Sequence, residues 1–498
     1  MIKNVPIDIV IPLTVPKINI QIENIIKDFP KKSPARPRPN ILFLIADDWS
    51  WQNSEAVDKL GLNLPTFERI KRSGVNFPNA FTAAPTCTAS RGSILTGKPI
   101  YQLEQGANLA GTLSSKLLTY TDILKDNGYY VGFSGKGWAP GKTEPGGRSQ
   151  NPAGARYKNF DTFMAERPKD TPFCFWYGSP EPHRPFTTGE GVKKGIKVKD
   201  DGVPNYLPDN QIVRDDIADY IDAAQIFDKN CGDILNKLEK EGLLDNTVVV
   251  ITGDNGWAFP RAKATLYDAG THVPLAIMWN NVIKPSRTND SLVSLTDLAP
   301  TFLEAAGVNP PSSMVGKSLL PTLQYDQPHR ESVITAMERH MDGGEVPLET
   351  YPIRALRTHQ YLYIKNFEPN RWPAGKPGKD DVTFKEYANK VYSGYANIDA
   401  SPTKAFIITE KDKKEIEPFY TLATGKRPNV ELYDILKDPD QLNNLAQNKE
   451  YAGVLEQLDT QLMTTLKEHG DPRATGNGNI FDTYPTYSDP GFGRPDNY

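Results

Sequence analysis

The segment Asn40-Ile-Leu-Phe-Leu-Ile-Ala46, followed at once by Asp47-Asp48, decides the fold class of this 498-residue chain. Its apolar run is nearly continuous, which suits a strand buried on both faces of a parallel sheet rather than one with a solvated face. Residues 129–134, 173–178 and 247–252 read as further strands of the same kind. Between them lie amphipathic helical patterns, clearest over residues 215–241, where Tyr220, Ala223, Ile226, Phe227, Ile234 and Leu238 recur at helical spacing. Strands alternating with helices predict an α/β fold, a large doubly wound sheet domain.

The pattern changes near residue 345. Beyond it come shorter strand-like segments at 352–357, 361–366 and 431–434, turn-rich stretches and a terminal helix at 451–468. The expected organisation is therefore an N-terminal extension or linker over 1–38, an α/β domain over 39–345, and a smaller C-terminal α+β subdomain with a small antiparallel sheet over 346–498. The Pro- and Lys/Arg-rich stretch 31–39 marks the linker.

With 38% hydrophobic and 24% charged residues the composition is that of a soluble globular protein. A net charge of -4 argues against a nucleic-acid partner, which needs a broad basic field. No apolar stretch approaches the length of a bilayer-spanning helix, so no membrane span is expected. Three cysteines, Cys87, Cys174 and Cys231, suggest neither a disulfide framework nor a thiolate zinc site. The first 32 residues are interrupted by Pro6, Asp8, Pro12 and Pro16 and do not read as a signal peptide.

In open parallel sheets ligands bind beyond the carboxyl ends of the strands. Two such ends carry oxygen ligands: Asp47-Asp48 after the first strand, and Gly253-Asp254-Asn255-Gly256 after a later one. Three carboxylates and one amide oxygen suit a hard cation, Ca²⁺ by preference with Mg²⁺ as the alternative. Either pair alone reads equally as a turn or a helix cap. A third cluster is Pro85-Thr-Cys87-Thr-Ala-Ser-Arg91-Gly-Ser-Ile-Leu-Thr-Gly97. A lone cysteine is usually a small core residue, but Arg91 four residues on, near the start of a helix, gives this one an anion-binding context.

At this cluster the chain resembles the type I, formylglycine-dependent sulfatases of the alkaline phosphatase superfamily, whose signature is Cys-x-Pro/Ala-x-Arg followed by Thr-Gly. The resemblance implies an alkaline phosphatase-like fold, with 39–345 as the catalytic domain, and a 3-oxoalanine (formylglycine) made from Cys87 by a formylglycine-generating maturation enzyme. Asp47, Asp48, Asp254 and Asn255 fall where the family holds its metal, and Cys87, as the formylglycine, joins them as a ligand. Lys136 in Gly135-Lys136, His183 in Pro182-His183-Arg-Pro185 and Lys263 in Lys263-Ala-Thr-Leu-Tyr267 match the family's basic motifs. With Arg91 they would neutralise the sulfuryl oxygens, and His183 or Lys263 would protonate the leaving group. Taken singly, each reads more readily as a surface charge or a loop histidine, and it is their order along the chain that favours the site.

One departure stands out. The family often has Trp-His after Gly-Lys, and its histidine helps deprotonate the formylglycine hydroxyl; here Gly137-Trp138 follows. The resemblance therefore leaves the base to His272, to His340, or to the metal with Lys136, and makes Trp138 a candidate pocket wall. Met337-Glu-Arg339-His340 and Tyr351-Pro-Ile-Arg354-Ala-Leu-Arg357-Thr are similar to segments of heparan N-sulfatases (sulfamidases). That makes Arg339, His340, Arg354 and Arg357 candidate contacts for a sulfated saccharide, or else, for Arg354 and Arg357, partners of surface acids. The function implied is hydrolysis of sulfate esters or N-sulfates of a glycosaminoglycan-type sugar, in the periplasm or outside the cell. The alternatives are phosphonate monoester or phosphodiester hydrolysis on the same scaffold, and noncatalytic binding of sulfated glycans.

Overall fold

Strands β1 (Asn40–Ala46), β2 (Tyr130–Gly135), β3 (Phe173–Gly178), β4 (Thr247–Gly253) and β5 (Leu275–Met278) form the centre of an eight-stranded mixed sheet in a computed structural model of the chain. The structure describes residues 37–55, 57–341 and 349–487; all but the last two residues of the expected 1–38 extension lie outside that range. The spatial order is Arg287–Thr288, Val75–Asn76, β5, β4, β1, β3, β2, Ala155–Arg156. β1 lies parallel to both β3 and β4, whereas β5 runs antiparallel to β4.

β1 shows why the unbroken apolar run is needed. Ile41, Phe43 and Ile45 belong to the apolar core on one face of the sheet, and Leu42, Leu44 and Ala46 to the core on the other. All six are completely buried, and each large one contributes roughly 1.5–3 kcal/mol of transfer free energy. Helices cover both faces. α1 (Pro65–Ser73) supplies Phe67 and Ile70 to the second core; α2 (Cys87–Thr96) supplies Ala89, Ile94 and Leu95 to the first. α3 (Gln211–Lys240) lies on the second face and α4 (Leu298–Ala305) on the first. The stripe of α3 passes through Tyr220, Ala224, Phe227 and Cys231, so Ile226, expected in the apolar set, is instead 38% exposed.

The small sheet is antiparallel in the order β6 (Ser332–Met337), β7 (Ile353–Thr358), β8 (Tyr361–Asn366) and β9 (Val430–Asp434). Its first strand precedes residue 345. The loop and helical segment between β8 and β9 includes α5 (Pro402–Thr409), and α6 (Ala452–Glu468) follows β9. Leu458, Leu462 and Leu466 of α6 share an apolar core with Tyr363 and Leu432 of the small sheet and with Phe43 of β1. The two sheets are thereby joined by one continuous hydrophobic interior.

Candidate active site

The strand register builds the site. Ala46 at the end of β1 pairs with Gly253 at the end of β4, so Asp47 and Asp48 emerge beside Asp254 and Asn255. Asp254 N–H donates to the Ala46 carbonyl at 3.0 Å, and Asp48 N–H to Asp254 Oδ1 at 3.0 Å. Asp48 holds a positive φ of 70°, a region that aspartate enters more readily than most residues but still sparsely. On the other side of β1, Gly135 ends β2 with φ 71°, and a Cβ there would come within 2.0 Å of the Gly178 carbonyl oxygen. That close approach lets Lys136 N–H donate to the same oxygen at 2.7 Å and aims the lysine at Asp47.

Helix α2 brings the remaining pieces. Cys87 is its first residue and Thr86 its N-cap, while Gly97 ends it in the left-handed conformation, φ 62°. This accounts for the Thr-Gly of the sequence pattern, because a side chain at position 97 would be strained there and crowded by Met314 and Ala299. Cys87 Sγ donates to Asp47 Oδ1 at 3.2 Å. Arg91, one turn on and fully buried, donates from Nε to Asp254 Oδ2 at 2.7 Å and from Nη1 to the carbonyls of Lys136 and Gly137.

Asp47, Asp48, Cys87 and Asp254 present ligand atoms within 4.8 Å of one another. Asn255 donates its Nδ2 to Asp48 Oδ1 and to the Gly256 carbonyl, which leaves its buried Oδ1 without a hydrogen-bond partner. A buried, unpartnered amide oxygen on a residue bonded to one of three clustered carboxylates is what a hard cation would take, so the donor set fits Ca²⁺ or Mg²⁺. Arg91 Nη2 is likewise buried without a hydrogen-bond partner, 3.7 Å from Asp47. It is an anion-seeking donor beside Cys87.

The electrostatics separate the roles. Burial favours protonation of Asp47, but Lys136, His183 and Arg91 outweigh it and hold that carboxyl well below its ordinary range. Burial dominates at Asp48 and Asp254 and raises both. Burial and then Asp47 push the Cys87 thiol well above its ordinary value, so it is protonated and is not itself an activated thiolate nucleophile. Burial works against the charges of Arg91, Lys136 and Lys263, yet the surrounding carboxylates raise all three. His183 is lowered to about 4, by burial first and Lys263 second. Its Nδ1 lies 2.5 Å from the Arg184 carbonyl oxygen and must carry the hydrogen, so Nε2, 4.0 Å from Asp48 Oδ2, is the acceptor.

Lys263 reaches Asp48 Oδ2 at 2.7 Å and completes the basic set of Arg91, Lys136, His183 and Lys263 around the carboxylates. The other predicted residues divide. His340 is drawn in: its Nδ1 lies 2.8 Å from Thr86 Oγ1, next to Cys87, and its charged neighbours include Lys263, His183 and Lys136. His272 is not. It is stacked between Trp51 and Phe81, bonded through Nε2 to the Pro78 carbonyl at 2.6 Å, and lines a separate cavity with Arg357 and Asp268.

Trp138 is no pocket wall: it is 1% exposed, donates to the Thr88 carbonyl at 3.1 Å and packs beneath α2. Arg354 is completely buried between Glu338 and Asp471, and Arg357 is paired with Asp268, so neither faces the site. Arg339 donates to the carbonyls of Tyr484 and Pro485 while lining a cavity of about 510 Å³ that also includes His340. One site residue escaped the sequence reading altogether. Asp399, from the loop before α5, lies 3.4 Å from Lys263. Its only local signal is a position two residues before the helix cap Ser401, which marks an ordinary turn acid equally well.

The family model "Sulfatase" matches residues 39–150 and 152–308, and "N-sulphoglucosamine sulphohydrolase, C-terminal" matches 253–373. The chain is similar to an ulvan-active sulfatase of Formosa agariphila, 28% identical over 89% of this chain and 82% of that protein. It is also similar to the human N-sulphoglucosamine sulphohydrolase, 27% identical over 88% and 91%. Among solved structures, one in complex with its substrate D-glucosamine-2-N,6-O-disulfate superimposes with a TM-score of 0.63, at 18% identity, over 88% of this chain and 99% of that one.

Proposed function

The chain belongs to the sulfatase family, and on that footing we propose that it releases sulfate from an N- or O-sulfated glucosamine of a glycosaminoglycan-type saccharide. Cys87 is the precursor of its formylglycine, made by a formylglycine-generating enzyme, and Ca²⁺, with Mg²⁺ as the alternative, is its metal. The observation that carries the reading is the convergence of Cys87 with three carboxylates and the unpartnered Asn255 oxygen, ringed by Arg91, Lys136, His183 and Lys263. The match to the sulphoglucosamine sulphohydrolase C-terminal model supports an amino sugar, as do the names of the relatives. The 510 Å³ cavity beside His340, lined by Arg371, Lys379 and Lys390 among others, suits an anionic saccharide. Among the described residues no helix is long and apolar enough to cross a membrane; a periplasmic or secreted location follows from where such polymers occur.

Formylglycine, once hydrated to its geminal diol, would supply a hydroxyl nucleophile toward sulfur, and the cation, which Asp47, Asp48, Asp254 and Asn255 would hold, would supply that hydroxyl's acidity. Arg91, with its unpartnered Nη2, and the cationic Lys136 and Lys263 neutralise the sulfuryl oxygens as charge moves onto them. His183 is the member of the set that burial and Lys263 hold neutral, at about 4, when no anion is bound. A sulfate anion beside it raises its pKa, which assigns it the proton delivered to the departing oxygen or nitrogen. His340, hydrogen-bonded to Thr86, takes the place left open by Trp138.

The test is sulfate release from a panel of defined sulfated saccharides, using protein from a host that contains the maturation enzyme. Cys87→Ala is expected to lower turnover on the order of 10³-fold or more. Unmodified Cys87 by mass spectrometry, together with an active Cys87→Ala, would overturn the reading. So would a marked preference for aryl phosphodiesters over the matched aryl sulfate.

A further inference from the structure

Asp399 is the carboxylate of the site that no strand end supplies. Its Oδ2 lies 3.4 Å from the Lys263 ammonium, and its other charged neighbours are His183, His340 and Arg184. It stands outside the group of Asp47, Asp48, Cys87 and Asp254 that fits a cation. The side chain is 15% exposed, yet Oδ2 is buried and accepts no hydrogen bond. The Lys263 charge offsets the burial of that oxygen, and a donor from outside the chain would supply the hydrogen bond it lacks.

The backbone that carries Asp399 is held from several sides. Lys404 of α5 donates its buried ammonium to the carbonyls of Tyr395 and Ile398 at 3.1 and 2.7 Å. Asn397 accepts from Met341 N–H at 2.8 Å and donates to the Pro373 carbonyl at 2.9 Å. Ser401 caps α5. The same loop lines the 510 Å³ cavity through Tyr395, Ala396 and Asn397, as does His340. Asp399 is thus held on a rigid mount, two residues along the chain from the cavity lining and beside Lys263, with 15% of its side chain exposed.

A carboxylate repels sulfuryl oxygens, so its partner on a substrate has to be a hydrogen-bond donor. We propose that Asp399 is a specificity-determining acceptor that takes a hydrogen bond from a hydroxyl or amino group on the sugar ring, close to the sulfated position. This rests on the sugar-sulfatase reading above. An aryl sulfate carries no such donor, and a saccharide with the neighbouring group missing or alkylated would lose the contact.

The test compares kcat/KM for two substrates: 4-nitrophenyl sulfate, and whichever of N-sulfoglucosamine and glucosamine-6-sulfate the wild type turns over faster. In Asp399→Ala the ratio of sugar to aryl activity is expected to fall about 10- to 100-fold, the weight of a hydrogen bond to a charged group. Asp399→Asn, which keeps the volume and one carbonyl oxygen, is expected to fall less but at least threefold, and it decides alone if the alanine variant does not fold. A parallel fall in both activities, leaving the ratio unchanged, would mean that Asp399 only positions Lys263 and would overturn the proposal. An unchanged protein would overturn it as well. If the wild type cleaves the aryl sulfate but neither sugar, the sugar-sulfatase reading fails and takes this inference with it; a falling ratio supports both.

Discussion

Replacement of Arg354 by methionine separates a structural from a substrate-binding arginine. The guanidinium is completely buried and donates to Asp471 at 2.6 and 3.1 Å, to Glu338 at 2.7 Å, and to the carbonyls of Met337 and Ile353 at 3.2 and 3.0 Å. Glu338 keeps a second cation in Arg473 at 2.9 Å, but among the described residues the Asp471 carboxylate keeps only the Arg473 backbone N–H. Methionine fills much of the space and leaves the Asp471 charge buried without its counter-ion. Breaking a buried pair from one side costs about 3–5 kcal/mol. Arg354→Lys restores the charge without the two-pronged geometry and should recover part of that loss. The assay is the urea midpoint of both variants beside wild type, together with KM for the preferred sulfated saccharide at a temperature where all are folded. The expected result is a large drop in midpoint for methionine, a smaller one for lysine, and KM within about twofold of wild type. An unchanged midpoint with a KM raised tenfold would refute the reasoning and return Arg354 to the substrate.

Two further outcomes follow from the site and its surroundings. Asn255→Ala removes the unpartnered oxygen from the cation set; after chelation, the Ca²⁺ needed for half-maximal reactivation should rise tenfold or more, since loss even of an outer partner costs 10- to 100-fold. Equal reactivation curves would remove Asn255 from the ligand set. Burial holds His272 at about 4 against an ordinary value of 6.5. Between those pH values the unfolded chain binds a proton that the folded one does not, so stability falls as pH drops from 6.5 to 4. The slope is at most about 1.4 kcal/mol per pH unit. His272→Gln should flatten that part of the stability profile, as read by urea midpoints at pH 7 and pH 4.5, and an identical profile would contradict the assignment.

The amino-acid sequence determined the α/β architecture because it is written locally. An unbroken apolar run has to be covered on two faces, and Ile41 to Ala46 duly divide between two cores. It also marked the strand-end carboxylates and the one-turn spacing of Cys87 and Arg91, since both depend on neighbours along one element. Tertiary structure alone decided the rest. The pairing of Ala46 with Gly253 turns two ordinary acidic turns into one cation set. Trp138 and Arg354, which look available in a linear reading, are consumed: Trp138 by packing and a hydrogen bond to the Thr88 carbonyl, Arg354 by ion pairs with Glu338 and Asp471. His340 enters the site and His272 does not, because one is bonded to Thr86 and the other is stacked in an aromatic sandwich. Asp399 was illegible for the same reason. No spacing relates it to Lys263; only the path of the connection between β8 and β9 brings a buried carboxylate to face that ammonium, and contacts between distant segments leave no periodicity in the sequence.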